Sequence, residues 1–216
     1  MFGFKINPEK IKKKNTKLLR KRGIDVVEHL PWIEIAKQRS DVEIARRCIA
    51  LASLLQLHFG APKELIGKYL KDNNLLDSVT PEENKLLEVD LEELEEQEKI
   101  DLYWVIEAVW ALAWVGEKHD NLTLNTRVES SLADMLPNFH EEQPAESFIT
   151  SFCSRKQVDV FEKLDMFYRA HWFARNNELS GKESSLVDLS IIMERRKALE
   201  WVSDSHEQWD DISLHT

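Results

Sequence analysis

Ionisable residues recur at helical spacing inside strongly apolar segments of this chain. Within Leu164–Trp172, Asp165, Arg169 and Trp172 share one helical face, one turn apart. His171 and Arg175 lie on an adjoining face. Further on, Glu194, Ala198 and Trp201 align, with Arg195, Leu199 and Val202 in the neighbouring row. Glu107 is the single charge in the apolar run Leu102–Val115. Two kinds of chemistry fit such a set. One is a polar pocket floored by Trp172 and Trp201, in which His171 exchanges protons and Arg169 or Arg195 clamps an anion. The other is a closed network, because charges among core residues are tolerated only when paired and hydrogen-bonded. The spacing favours the network, with Glu107, Asp165, Arg169, His171, Glu194 and Arg195 as its members. Glu107 is expected to hold one of the arginines, and Asp165, Glu107 and Glu194 are the candidate acids for Arg169. In the tail, Trp209 is expected to tuck onto the core while Asp210 and Asp211 cap or pair with Arg195 or Arg196.

The usual companions of catalysis are missing. None of the seven histidines stands in a His-Glu-x-x-His or Glu-x-x-His arrangement, so no metal is implied. There is no phosphate-binding G-x-x-x-x-G-K-[ST], no dinucleotide G-x-G-x-x-G and no G-x-S-x-G nucleophile elbow. No cofactor is implied, and these absences weigh against an enzyme. Cys48 and Cys153 sit far apart among apolar neighbours and read as buried free thiols of a reducing compartment.

Nearly every segment that must position these residues reads as helix. Six Gly and six Pro in 216 residues are too few for a many-stranded sheet, and no alternating pattern of useful length occurs. Asn7-Pro8 caps a first helix running to about Arg22, with Gly23 as its stop. Ser40-x-x-Glu43 is a capping box for a helix carrying Ile44, Cys48, Ala52 and Leu55, which ends near Gly60. A short helix follows Pro62, and Thr80-Pro81-Glu82-Glu83 is a strong start signal. Leu102–Val115 is apolar on all sides and should be central, with Trp110 stacked on Trp114 and Gly116 as its stop. Further helices are expected over 127–136, 145–152, 155–179 and 188–203. The predicted architecture is all-α: a basic amphipathic arm over residues 1–23, then a single-domain multi-helix bundle over 24–216.

Charge is divided sharply along the chain. Residues 1–22 hold nine Lys/Arg against one Glu, a balance of +8, and the remainder holds 20 against 38, a balance of −18. An acidic body disfavours sequence-independent binding of nucleic acid. The arm is expected to dock on that body, with RNA or anionic lipid as the alternative partner. Glu82 to Asp101 carries ten acids and two bases, as either a solvated helix face or a docking surface. The amino terminus shows no secretory signal, and the longest apolar stretch has 14 residues with a charge inside it. The chain therefore reads as a cytoplasmic protein without a transmembrane segment.

The same residues resemble the family called domain of unknown function 4272, found mainly in bacteria. The resemblance runs from about Leu30 to Thr216 and begins with Ile44-Ala45-Arg46-Arg47-Cys48-Ile49-Ala50-Leu51. It continues through Trp104-x-x-Glu107-Ala108 and Ala111-Leu112-Ala113-Trp114. Its densest parts are Asp165-x-x-Tyr168-Arg169-x-His171-Trp172, Glu194-Arg195-Arg196-x-Ala198-Leu199-x-Trp201 and Trp209-Asp210-Asp211. Where the family often has Trp-Arg-x-Glu this chain has Trp104-Val105-Ile106-Glu107, and its terminal Asp-Thr is His215-Thr216 here. The resemblance implies a helical fold and brings no established reaction, substrate or cofactor.

Two functions are compatible with this reading. The first is a non-catalytic binding protein, for example an immunity or antitoxin-like protein that occludes a basic toxin domain through Glu92, Glu93, Glu95 and Glu96. The alternative is an enzyme or small-ligand binder with its pocket around Arg169, His171 and Arg195.

Overall fold

The computed structural model describes residues 6–216; residues 1–5, the leading part of the predicted arm, lie outside the described residues. The described residues are all-α, without a strand. Four helices form the body in a chain of packed neighbours. Helix α2 (Asp41–His58) packs on α5 (Glu96–Val115), α5 on α9 (Leu189–Ser203), and α9 on α8 (Gln157–Leu179). The basic helix α1 (Pro8–Lys21) closes the row against α8, and α3 (Lys63–Asp72) and α7 (Glu146–Thr150) pack on α2. Single turns at α4 (Pro81–Asn84) and α6 (Leu132–Met135) complete the helices.

Local chemistry explains the boundaries. Asn7 accepts from the Lys10 amide and Pro8 opens α1, where its missing N–H costs nothing. At the other end Gly23 takes φ +83°, the Gly23 amide bonds the Arg20 carbonyl, and the Ile24 amide bonds that of Leu19. This left-handed closure satisfies carbonyls the helix leaves open and seats Ile24 beside buried Leu19. Ser40 and Glu43 form the expected capping box of α2. The arm is docked: Ile11 and Leu19 are buried, Lys14 pairs with Glu162 at 2.6 Å, and the Asn15 amide donates to the Glu162 carbonyl.

The second half of α5 is the centre of the core, since every residue from Glu107 to Val115 is buried. Its carboxyl end is capped by Arg155, whose Nε donates to the Trp114 carbonyl and whose backbone amide donates to that of Val115. Gly116 ends the helix for a reason of space. A Cβ there would lie 2.2 Å from Phe152, while the left-handed residue is the following Glu117 at φ 55°.

Several expectations are corrected. The capping box at Thr80 forms, but the helix it opens stops after Asn84. The chain then proceeds through 3-10 turns at Lys85–Leu87 and Leu91–Glu93. A continuous helix would set Glu88, Glu92, Glu95 and Glu96 against one another three and four residues apart, which is repulsive. The turns instead direct Leu86, Leu87 and Leu91 onto the core. The helix expected over 127–136 shrinks to Leu132–Met135. Trp110 does not stack on Trp114; its ring lies on His119, 3.5 Å between centroids, and its N–H reaches the Asn121 carbonyl. Trp114 is covered by Arg155 and Lys163 instead. Cys48 is buried and its thiol is pushed up to about 12 by burial, but Cys153, in the segment after α7, is exposed. Among the described residues no helix is long and apolar enough to cross a membrane.

The tight approach at Gly116 gives a direct test. Gly116→Ala should lower stability by about 1–3 kcal/mol through overpacking against Phe152. Phe152→Leu in the same chain should recover part of that loss, as read from urea unfolding midpoints. Additive losses would show that the two positions do not touch.

Candidate functional site

The signature residues separate into three pairs. Asp165 and Arg169 are one turn apart on α8 and both fully buried. The guanidinium grips the carboxylate with two bonds, Nε to Oδ2 at 2.9 Å and Nη2 to Oδ1 at 2.6 Å. Asn15 from α1 donates to the same carboxylate, and Arg169 Nη2 also reaches the Pro31 carbonyl. Of the three candidate acids, Asp165 is therefore the partner of Arg169. The pair ties the arm and the following connector to α8.

Glu107 holds Arg195. Nε and Nη2 of the arginine donate to Glu107 Oε2 at 2.9 and 2.6 Å, joining α5 to α9. The remaining guanidinium hydrogens meet the Thr123 and Thr126 carbonyls, and the Val128 amide donates to Glu107 Oε1. Burial pushes the Glu107 carboxyl up and the Arg195 guanidinium down, and each opposes the other's shift through their charges.

His171 meets Arg196. Arg196 Nη1 stands 2.7 Å from His171 Nδ1, so the imidazole is neutral and accepts from the guanidinium. Burial, then the charges of Arg196 and Arg175, push its pKa down to about 4. Arg196 also takes Glu200 and the carbonyls of Leu214 and His215, so it anchors the tail by backbone rather than through Asp210 or Asp211. Those two acids lie elsewhere, on the cleft described next. Arg169, His171 and Arg195 share no pocket: each is almost wholly buried and turned toward its own partner. Glu194 stays apart from the pairs. Half-buried and accepting no hydrogen bond from the described residues, its carboxyl is raised to about 7, by burial above all, with Asp101 and Glu107 adding to the effect and Lys197 opposing it.

A cleft of about 800 Å³ opens where the start of α2, the Asp77–Pro81 turn and the tail meet. Its walls include Arg39, Arg46, Arg47, Trp201, Trp209 and Asp211. Arg39 lies over the Trp201 ring and Arg47 over the Trp209 ring, each 4.2 Å from the centroid. The two indoles meet edge to face at 5.8 Å, so Trp209 is tucked onto the core as expected. Arg47 holds Glu83 with two bonds of 2.6 Å, yet its Nε is buried without a partner. This cleft escaped the sequence reading. Arg46-Arg47 inside the apolar α2 is the signal for it, but its walls come from segments far apart in the chain.

The acidic stretch flanks that cleft. Three of its acids are engaged: Glu83 by Arg47, Glu82 by Lys85 and Asp90 by Lys63. Glu92, Glu93, Glu95 and Glu96 are exposed and make no ion pair among the described residues. Beside them a shallow groove of about 290 Å³ presents Leu57, Leu86, Val89, Leu91 and Leu94. No group of three or more His, Cys, Asp or Glu side chains is placed to hold a metal ion among the described residues.

Removing one member of a closed pair should be costly. Arg169→Ala strands Asp165 in the core and should destabilise the protein by about 3–5 kcal/mol, measured by urea unfolding; a change below 1 kcal/mol would show that solvent reaches the pair. Glu194 sets a pH dependence of definite sign. Its folded pKa of about 7 exceeds the ordinary 4.5, so the folded state binds more protons between those values and stability falls as pH rises from 4.5 to 7. Glu194→Gln should flatten this slope and add on the order of 1–2 kcal/mol above pH 7, allowing for solvent at its half-buried head. Parallel stability curves for the two proteins across that window would refute the assignment.

One protein-family model matches the chain, Domain of unknown function (DUF4272), over residues 11–212. No curated protein and no solved structure matches it. With the match spanning the helical body and most of the docked arm, the chain belongs to the DUF4272 family.

Proposed function

We propose that the protein works by binding a basic protein partner through Glu92, Glu93, Glu95 and Glu96, without performing chemistry on it. The carrying observation is the division of labour along the acidic stretch. Glu82, Glu83 and Asp90 each have a cation, whereas these four carboxylates, like Glu88, Glu98 and Asp101 around them, are exposed and make no ion pair among the described residues. Adjacent unpaired like charges repel and lower stability by tenths of a kcal/mol per pair. A basic partner relieves that repulsion, and the field of such a patch raises association rates about tenfold or more at low salt. The groove of Leu86, Val89, Leu91 and Leu94 beside the patch offers an apolar anchor, the kind of contact that slows dissociation. The finer reading is a cytoplasmic, bacterial immunity protein of the antitoxin kind, which covers a basic toxin domain and so occludes it. The acidic balance of the body supports this partner chemistry over nucleic acid.

A ligand-binding or enzymatic reading centred on Arg169, His171 and Arg195 has less support, because their heads are buried and, apart from Arg169 Nη1, engaged. One observation favours a small-ligand reading at a different place: the unpartnered Nε of Arg47 at the arginine–tryptophan cleft.

The test uses a variant carrying E92Q, E93Q, E95Q and E96Q, and the basic protein that co-purifies from the native cell at low salt. The association rate of the variant should fall about tenfold, with a flatter salt dependence. Its thermal midpoint should change little, because the repulsion removed is offset by the loss of the Glu95 and Glu96 charges at the amino end of α5. An association rate and salt slope equal to those of the wild type would overturn the proposal.

A further inference from the structure

A second cleft, of about 600 Å³, lies between the end of α1, the 120–125 loop and α8, and shares no residue with the acidic stretch. Arg22 and Lys163 line it, together with Ile24, Leu122, Met166 and Leu186. Neither cation has a carboxylate within ion-pair distance among the described residues. The acids nearby are already taken: Asp120, on the rim, pairs with Arg155 at 2.7 Å, and Glu162, next to Lys163 on α8, pairs with Lys14. Lys163 is half-buried beside the Trp114 ring, and its Nζ makes one hydrogen bond, to the Leu122 carbonyl at 3.2 Å.

We propose that this cleft takes a small anionic carbonyl compound, an α-oxo acid in chemical class, with Arg22 holding the carboxylate and Lys163 as the nucleophilic amine. The arrangement answers two needs of such a ligand. An exposed guanidinium without an acid of its own is a ready partner for a carboxylate. A lysine partly desolvated against neighbouring side chains and flanked by other cations loses its proton readily, which is how amines become nucleophilic. Burial, then the charges of Arg22, Arg155 and Arg195, bring the Lys163 ammonium down to about 8. Roughly a tenth of it is then neutral at pH 7, against well under a thousandth for an ordinary lysine.

The step balances without an oxidant or reductant. The Nζ lone pair forms a C–N bond to the carbonyl carbon as the C=O π pair moves to oxygen, and one Nζ proton passes to that oxygen to give a carbinolamine. The C–O bond then breaks, the oxygen leaves as water with the second Nζ proton, and the nitrogen lone pair forms the C=N bond of the imine on Lys163. Hydrolysis reverses it, so the cleft would bind the compound reversibly.

Glyoxylate, the smallest α-oxo acid, is the probe. The full chain is incubated with it at pH 7 and reduced with cyanoborohydride, and adducts are mapped by peptide mass spectrometry. Lys163 should be alkylated about tenfold faster than the exposed lysines. Lys163→Arg, which keeps the charge, should abolish that adduct and leave the others unchanged. Arg22→Gln also removes a charge that lowers the Lys163 ammonium, so it should slow the reaction of Lys163 with both probes, and with glyoxylate several-fold more than with propanal, which has no carboxylate. Adducts spread evenly over exposed lysines would overturn the nucleophile, and equal slowing with both probes, or with neither, would overturn the carboxylate-holding role of Arg22.

Discussion

A buried guanidinium must have its charge answered, and the packing of this protein is organised around that demand. Arg195 is answered by Glu107 and two loop carbonyls, Arg169 by Asp165 and the Pro31 carbonyl, and Arg47 by Glu83 and the Ser78 carbonyl, with Arg169 Nη1 and Arg47 Nε left without a hydrogen-bond partner among the described residues. Each arginine joins segments that hydrophobic burial alone would leave free to slide: α9 to α5 and the 120s loop, α8 to the connector after α1, and α2 to the acidic stretch. Apolar contacts are non-directional, so they hold helices together without fixing their register. Two-bond arginine–carboxylate pairs are directional and supply it.

The same demand separates structural charge from available charge. Once the buried arginines have taken Glu107, Asp165 and Glu83, several charged groups remain without an ion-pair partner among the described residues. Glu92, Glu93, Glu95 and Glu96 are on one surface, Arg22 and Lys163 line one cleft, and Glu194 is alone on α9. Their unanswered charge marks them as places where a partner or a ligand gains free energy that the fold itself has not used.

His171 shows how burial redirects a residue suited to catalysis. An imidazole with its ordinary pKa is the usual exchanger of protons near neutrality. Here burial and the adjoining Arg196 keep it neutral down to about pH 4, and its free nitrogen is spent on that guanidinium. It joins α8 to α9 and, through Arg196, to the tail. The oriented tail in turn sets Trp209 against Trp201 and forms one wall of the arginine–tryptophan cleft.

Local signals in the sequence determined the helical class, the caps at Asn7, Ser40 and Thr80, the stop at Gly23 and the centrality of the Leu102–Val115 run, although residues 103–106 of it are only half-buried. These depend on periodicity and on groups within a few residues of one another. The i,i+4 relation of Asp165 and Arg169 was legible for the same reason, as was the need of Glu107 for an arginine, since an isolated carboxylate in that run is untenable. Only the tertiary structure decided that Glu107 takes Arg195 rather than Arg169, because the choice rests on which face α9 turns to α5. It alone decided that Trp110 lies on His119, that Asp210 and Asp211 face the cleft rather than Arg196, and that the acidic stretch breaks into turns. It also assembled both clefts, whose walls come from segments more than a hundred residues apart. Spacing along a helix specifies which residues share a face; what that face meets is set by the packing of the whole chain.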